Sequence, residues 1–184
     1  MSTPAQRKMT VDEFLAWAKG QDGRWELYNG VPYLMAPEQV GHGKVKFAVQ
    51  AALLQGIRKA GLTCHMQPDG ATVRVSQHVA HEPDALVYCG PELPRNAIEV
   101  PNPVIVVEVA SPSTRKIDAS LKLNGYFSLP SVHHYLIIDA DGPPLVHHCR
   151  QDGGAILTTI VHDGVLTLAP PGIEVGVAEI FAVV

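Results

Sequence analysis

Three residues have the types and spacing to do chemistry together: Asp84, Glu108 and Lys122. Asp84 follows Pro83 at what reads as the start of a strand. Glu108 lies late in Val104–Ala110, a near-continuous apolar run rich in β-branched residues. Such a run predicts a strand buried on both faces, inside a sheet. A carboxylate in that setting is costly unless it is paired, protonated or bound to a metal. The run breaks at Ser111-Pro112, so the charge is held at the sheet's edge. Lys122 falls on the helix predicted next. Two carboxylates on adjacent strands can share a hard divalent cation such as Mg²⁺, which takes oxygen ligands and keeps several waters. That ion would polarise a phosphoryl oxygen and lower the pKa of bound water. A nearby lysine could orient the water or offset charge in the transition state.

Each residue also has a plainer reading. Glu108 could be a half-exposed strand end paired with Arg or Lys, and Asp84 an ordinary Pro-Asp turn. Lys122 could be a solvated helical lysine paired with Asp118; Asp118, Lys122 and Tyr126 stand four apart, on one helical face. Glu26 could add an acid to the pocket or serve as a cross-strand partner in its hairpin. His42 could touch a phosphate or simply mark a helix entry. Ser111 and Ser113 lack a G-x-S-x-G elbow, which leaves helix capping as the better account. His147-His148 and Cys149 suggest a metal at first sight, but adjacent strand residues point to opposite faces, which argues against one.

The elements that must position these residues follow in order. Thr10-Val-Asp-Glu13 is a capping box for a short helix that ends at Gly20. Asn29-Gly30 between two strand-like runs, Arg24–Tyr28 and Val31–Met35, is the signature of a hairpin. A second helix is expected over Gly43–Ala60, with an apolar stripe through Val45, Val49, Leu53 and Ile57 and a stop at Gly61. Lys44, Lys46, Arg58 and Lys59 lie off that stripe. Strand-like pieces follow at Thr63–Gln67, Ala71–Val75 and Asp84–Tyr88, then the Glu108 strand. A third helix is expected from Thr114 to Ser128, closed by Pro130. His134–Asp139 is a further strand, and the remainder alternates short strands with Asp-Gly turns, an antiparallel meander. Val177–Phe181 is expected as a last helical turn. One mixed sheet flanked by helices is the natural packing, with a right-handed parallel crossover from Val104 to Asp139.

Pro83-Asp84, Val107-Glu-Val-Ala-Ser-Pro-Ser-Thr114, Asp118, Lys122, Tyr126 and His134–Asp139 together resemble the Uma-type family of putative restriction endonucleases, within the PD-(D/E)-x-K nuclease superfamily. Trp25–Val31 and Gly41-His42 resemble that family's opening. The resemblance implies a restriction-endonuclease-like α/β fold and a Mg²⁺- or Mn²⁺-dependent site acting on DNA. Asp84 and Glu108 would be its metal ligands and Lys122 its lysine. The superfamily places the lysine two residues after the acid, where this chain has Ala110; the Uma-type pattern places it on the following helix, where Lys122 stands.

The whole chain sets limits on these readings. Its 184 residues suit a single nuclease-like domain spanning 1–184. A net charge of −4 gives no global attraction to nucleic acid. DNA binding would rest on a local basic patch such as Arg115 and Lys116. Double-strand cleavage by one small domain would call for a homodimer. No apolar run is long enough to span a membrane and no secretory signal opens the chain, so a cytoplasmic protein is expected. Cys64, Cys89 and Cys149 have no C-x-x-C spacing, which argues against a zinc knuckle or a disulfide framework. A second function class stays open beside the nuclease: a non-catalytic binding or structural module on the same fold. Hydrolysis of another phosphodiester or nucleotide is a third.

Overall fold

The computed structural model describes residues 8–110 and 121–182. The chain opens with α1 (Val11–Ala18). The capping box forms as expected: the Glu13 N–H donates to Thr10 Oγ1 at 3.3 Å, and the Thr10 N–H to the Glu13 carboxylate at 2.9 Å. Val11 and Phe14 pack on Leu27 and Ala80. Strands β1 (Trp25–Tyr28) and β2 (Val31–Leu34) turn through Asn29 and Gly30, both at positive φ (49° and 81°), as the tight hairpin turn demands.

Helix α2 (Val40–Ala60) begins three residues earlier than the sequence predicts. Its apolar stripe, Val45, Val49, Leu53 and Ile57, is buried. The chain then runs through β3 (Cys64–Pro68), β4 (Val73–Ser76), β5 (Val79–His81), β6 (Ala85–Cys89) and β7 (Ile105–Ala110). After α3 (Leu123–Ser128) come β8 (His134–Asp139), β9 (Leu145–Arg150), β10 (Ile156–Val161), β11 (Val165–Leu168), β12 (Ile173–Gly176) and α4 (Val177–Ile180). The first part of the predicted third helix, with Asp118, Arg115 and Lys116, lies outside the described residues.

The strands form three sheets where the sequence reading expects one. Six strands lie in the order β10-β9-β8-β7-β6-β3, four in the order β2-β1-β5-β4, and β11 pairs with β12. The separate four-stranded sheet traces to β5. This three-residue strand, absent from the sequence reading, pairs with both β1 and β4 and gathers the hairpin into a sheet of its own. Within the six-stranded sheet β7 and β8 are parallel, as a strand–helix–strand crossover requires, and the meander continues it antiparallel through β9 and β10.

Alternation along β7 sets up the site. Ile105, Val107 and Val109 pack in one core layer with α2 and β12; Val106 and Ala110 face Tyr126 and Tyr135 on the other side. Glu108 shares the parity of that second set. Arg150 on β9 fastens the end of α3: its guanidinium donates to the carbonyls of Phe127 (2.8 Å), Leu129 (2.9 Å) and Val132 (2.8 Å) and lies over the Phe127 ring.

One cysteine expectation fails. Cys64 and Cys89 stand opposite each other across β3 and β6 and are joined by a disulfide. Their sequence spacing gave no sign of it, because only the antiparallel register brings them together. No helix among the described residues is long and apolar enough to cross a membrane.

Candidate active site

Asp84 immediately precedes β6. Its N–H donates to Val107 O at 3.1 Å, and the next pair in the ladder is Ala85 with Val107, so Asp84 stands across from Glu108. Both acids are buried, 5% and 4% exposed. Asp84 Oδ2 accepts the Val109 N–H at 2.7 Å. Glu108 Oε1 accepts from Lys122 Nζ at 2.9 Å and from the Tyr126 hydroxyl at 2.7 Å. Lys122 Nζ lies 3.0 Å from Glu26 Oε1 as well. Glu108 is therefore not a half-exposed strand end, and Lys122 is not a solvated helical lysine.

Glu26 pairs with Tyr33 along the hairpin backbone, but its side chain turns inward to the lysine. Its Oε1 accepts the Glu82 N–H at 2.9 Å and its Oε2 the Tyr28 hydroxyl at 2.7 Å. His81 completes this flank. It is 2% exposed, with ring centroids 4.9 Å from Tyr28 and 5.5 Å from Tyr126. Its Nδ1 makes no hydrogen bond among the described residues, and lies 3.9 Å from Glu26 Oε1.

The other flank comes from α2. His42, Lys46 and Gln50 stand four residues apart and reach toward Asp84. Lys46 Nζ is 3.4 Å from Asp84 Oδ1, 2.6 Å from Glu38 Oε1 and 2.9 Å from Asp69 Oδ2. Gln50 Nε2 donates to the Asp84 carbonyl at 2.8 Å. His42 Nε2 is 2.6 Å from Val109 O and 3.7 Å from Asp84 Oδ2, while its Nδ1 is 2.6 Å from Glu38 Oε1. Arg24 extends the network, 2.7 Å from Asp69 and 2.6 Å from Glu82.

Sequence reasoning missed Lys46, His81 and Tyr28. For Lys46 a signal existed: its four-residue spacing from His42 and Gln50 makes a polar stripe beside the apolar one. His81 sits in the strand that the sequence reading left out.

The electrostatics follow from burial and pairing. Burial pushes the Glu26 carboxyl up, but the Lys122 ammonium, His81 and the Glu82 and Tyr28 hydrogen bonds together hold it below the usual range. Burial works against a charged Lys46 too, and its bonds to Glu38 and Asp69 and the charge of Asp84 outweigh that and raise its pKa. Burial raises the Tyr126 hydroxyl well above its ordinary value, with Glu108 adding to it. Burial lowers His81 to about 4, so the imidazole is neutral at neutral pH. Glu82 is raised, chiefly by burial.

The donor set suits a hard cation. Asp84 Oδ2 and Val109 O both approach one point, the position of His42 Nε2. Glu108 immediately precedes Val109 on the same strand. All three donors are oxygens, as Mg²⁺ and Mn²⁺ prefer. The described network holds six carboxylates (Glu26, Glu38, Asp69, Glu82, Asp84, Glu108) against three fixed cations (Arg24, Lys46, Lys122). A divalent ion would offset that excess.

Residues 11–183 match the family model described as "Uma2: Putative restriction endonuclease". The chain belongs to the Uma2 family. A similar protein is the uncharacterized slr1290 of Synechocystis sp., 24% identical over 176 residues, covering 95% of this chain and 92% of that one. Among solved structures, the crystal structure of a putative nuclease belonging to DUF820 from Anabaena variabilis superposes with a TM-score of 0.71 at 14% identity. It covers 95% of this chain and 98% of the other. That likeness shows the fold. Uma2 membership bears out the resemblance read from Pro83-Asp84 and Val107–Thr114, and with the fold it supports a nuclease as the coarse reading of the chain.

Proposed function

We propose that this Uma2 protein is a Mg²⁺- or Mn²⁺-dependent endonuclease that hydrolyses DNA phosphodiester bonds. The observation that carries the reading is the placement of Asp84 opposite Glu108 at the edge of β6 and β7, with the Lys122 ammonium on Glu108. Asp84, Glu108 and the Val109 carbonyl would hold the ion. When bound, the ion would polarise the phosphoryl oxygen and make water a stronger nucleophile at neutral pH. Lys122 would set its positive charge beside the phosphoryl oxygens as negative charge builds on them. Glu108 and Glu26 hold that ammonium between them, and the Tyr126 hydroxyl orients Glu108. Lys46 would hold the Asp84 carboxylate in its orientation. His42, next to Val109 O and Asp84, would meet a phosphate or its water.

Titration of Mn²⁺ into the wild type and Glu108→Ala by calorimetry tests the site without presuming a DNA sequence. Binding in the wild type that is lost in the variant supports it; equal binding removes Glu108 as a ligand of the free protein. Nicking of supercoiled plasmid with Mn²⁺, absent in Lys122→Met, then tests the chemistry. One observation favours the reading as a non-catalytic module: Glu108 already has two internal donors, Lys122 and Tyr126. Tight Mn²⁺ binding without nicking of any DNA form would select that module.

A further inference from the structure

The six-stranded sheet carries a second group of metal-ligating side chains, on the face away from Glu108. Along β8 the residues alternate: Tyr135 and Ile137 join the layer of Tyr126, while Leu136 and Ile138 join the layer of α2 and β12. His134 shares the parity of that second layer. In the β8–β9 register His134 pairs with Cys149 and Leu136 with His147, so His134, His147 and Cys149 lie on one face. His148 faces the other way, bonded to Thr158 Oγ1 at 2.8 Å and stacked on Tyr135. Opposite orientation of neighbours thus rules out His147 with His148, as the sequence argument held, but it leaves His147 with Cys149.

One ligand atom from each of His134, His147 and Cys149 lies within 4.8 Å of the others. His134 Nδ1 and His147 Nε2 face each other at 2.9 Å. Ligand atoms in a tetrahedral zinc site, with bonds of about 2.0–2.1 Å to nitrogen and about 2.3 Å to sulfur, stand roughly 3.3–3.6 Å apart. The two rings would need to part by only a few tenths of an ångström. His134 is 1% exposed, and its Nε2 has no hydrogen bond among the described residues. Around its ring lie His147 and the backbone of Ala169 and Pro170. Cys149 is a free thiol, whereas Cys64 and Cys89 are tied to each other.

We propose that His134, His147 and Cys149 form a second metal site, for a borderline-soft divalent ion such as Zn²⁺, distinct from the oxygen site at Asp84 and Glu108. Nitrogen and thiolate donors select Zn²⁺ over Mg²⁺. Cys149 binds as the thiolate and its proton passes to solvent. A water completes the fourth position. The ion would clip the start of β8 to the end of β9, a structural task that needs no contact with the proposed nuclease site.

Co²⁺ is the probe, added to the full-length, metal-stripped protein with its disulfide intact. The expected result is a cobalt–thiolate charge-transfer absorption that saturates at one ion per chain. Zn²⁺ should displace it and Mg²⁺ should not. It should vanish in Cys149→Ser, weaken at least tenfold in affinity in His147→Ala, and survive in Glu108→Ala. Zn²⁺ should raise the melting temperature of the wild type and leave that of Cys149→Ser unchanged. Absence of the absorption in the folded wild type overturns the proposal, and so does its persistence in Cys149→Ser.

Discussion

The two flanks of the acid pair solve the same problem differently. On the Glu108 flank, two buried carboxylates share one buried ammonium, with two tyrosine hydroxyls and a neutral histidine filling the remaining space. On the Asp84 flank, Lys46 is shared among Asp84, Glu38 and Asp69, and Arg24 backs it up. Glu38 and Asp69 keep about a third of their side chains in solvent, 34% and 29%. The first flank is closed to solvent, and the second is partly open to it. Stability and ligand binding should therefore separate. The Glu108 flank should dominate folding, and the Asp84 flank should yield more readily to an incoming ion.

The sharpest way to break this contrast is Lys122→Met. It takes the Lys122 ammonium away from the buried Glu26 and Glu108, and loss of one partner of a buried pair costs about 3–5 kcal/mol. One carboxyl should then take up a proton, its folded pKa rising above the unfolded one. The stability this adds exists at low pH and is lost as pH rises, so urea unfolding should show the deficit against wild type shrinking from pH 7 to pH 5. A uniform deficit would mean the acids are better solvated than their burial implies. His81→Phe comes next. The folded pKa near 4 lies below the unfolded value, so the unfolded chain binds the extra proton between about 6.5 and 4. Wild-type stability should fall as pH drops through that window, with His81 contributing on the order of 2 kcal/mol between pH 7 and 4.5. The variant should lose that part of the slope.

Lys46→Met is the control on the other flank. Arg24 remains on Asp69 and solvent reaches Glu38, so a cost of about 1–2 kcal/mol is expected, between that of exposed and buried pairs. A cost equal to that of Lys122→Met would erase the distinction between the flanks. The smallest effect on folding should come from Asp84→Asn, whose amide oxygen can still accept the Val109 N–H. Its denaturation midpoint should stay close to wild type, while calorimetry shows Mn²⁺ affinity falling by about tenfold or more.

The sequence made parts of this visible and left others hidden, for physical reasons. An acid inside the β-branched run at Val104–Ala110 was legible because burying a charge is costly enough to demand a partner. The Asn29-Gly30 hairpin, the Thr10–Glu13 box and the α2 stripe were legible because each is a local rule. The separate four-stranded sheet was not, since it hinges on β5, too short for a periodic pattern. Lys122 was found, but its expected partner Asp118 lies outside the described residues, and its observed partners are Glu108 and the distant Glu26. The Cys64–Cys89 link and the His134–His147–Cys149 group share one reason for being missed. Both arise from strand register, which spacing along the chain does not encode.

The grip of Arg150 on the last turn of α3 has a consequence for how variants of this protein will be interpreted. Lys122 and Tyr126 reach Glu108 from a short helix whose far end is pinned to a neighbouring strand by one guanidinium. Replacing Arg150 would touch neither acid nor lysine, yet it would let the helix drift and silence both. A genetic screen would then score Arg150 beside the acids. The footprint of inactivating mutations should be wider than the chemistry, and purified variants sorted by Mn²⁺ binding would show which residues are reagents and which are scaffolding.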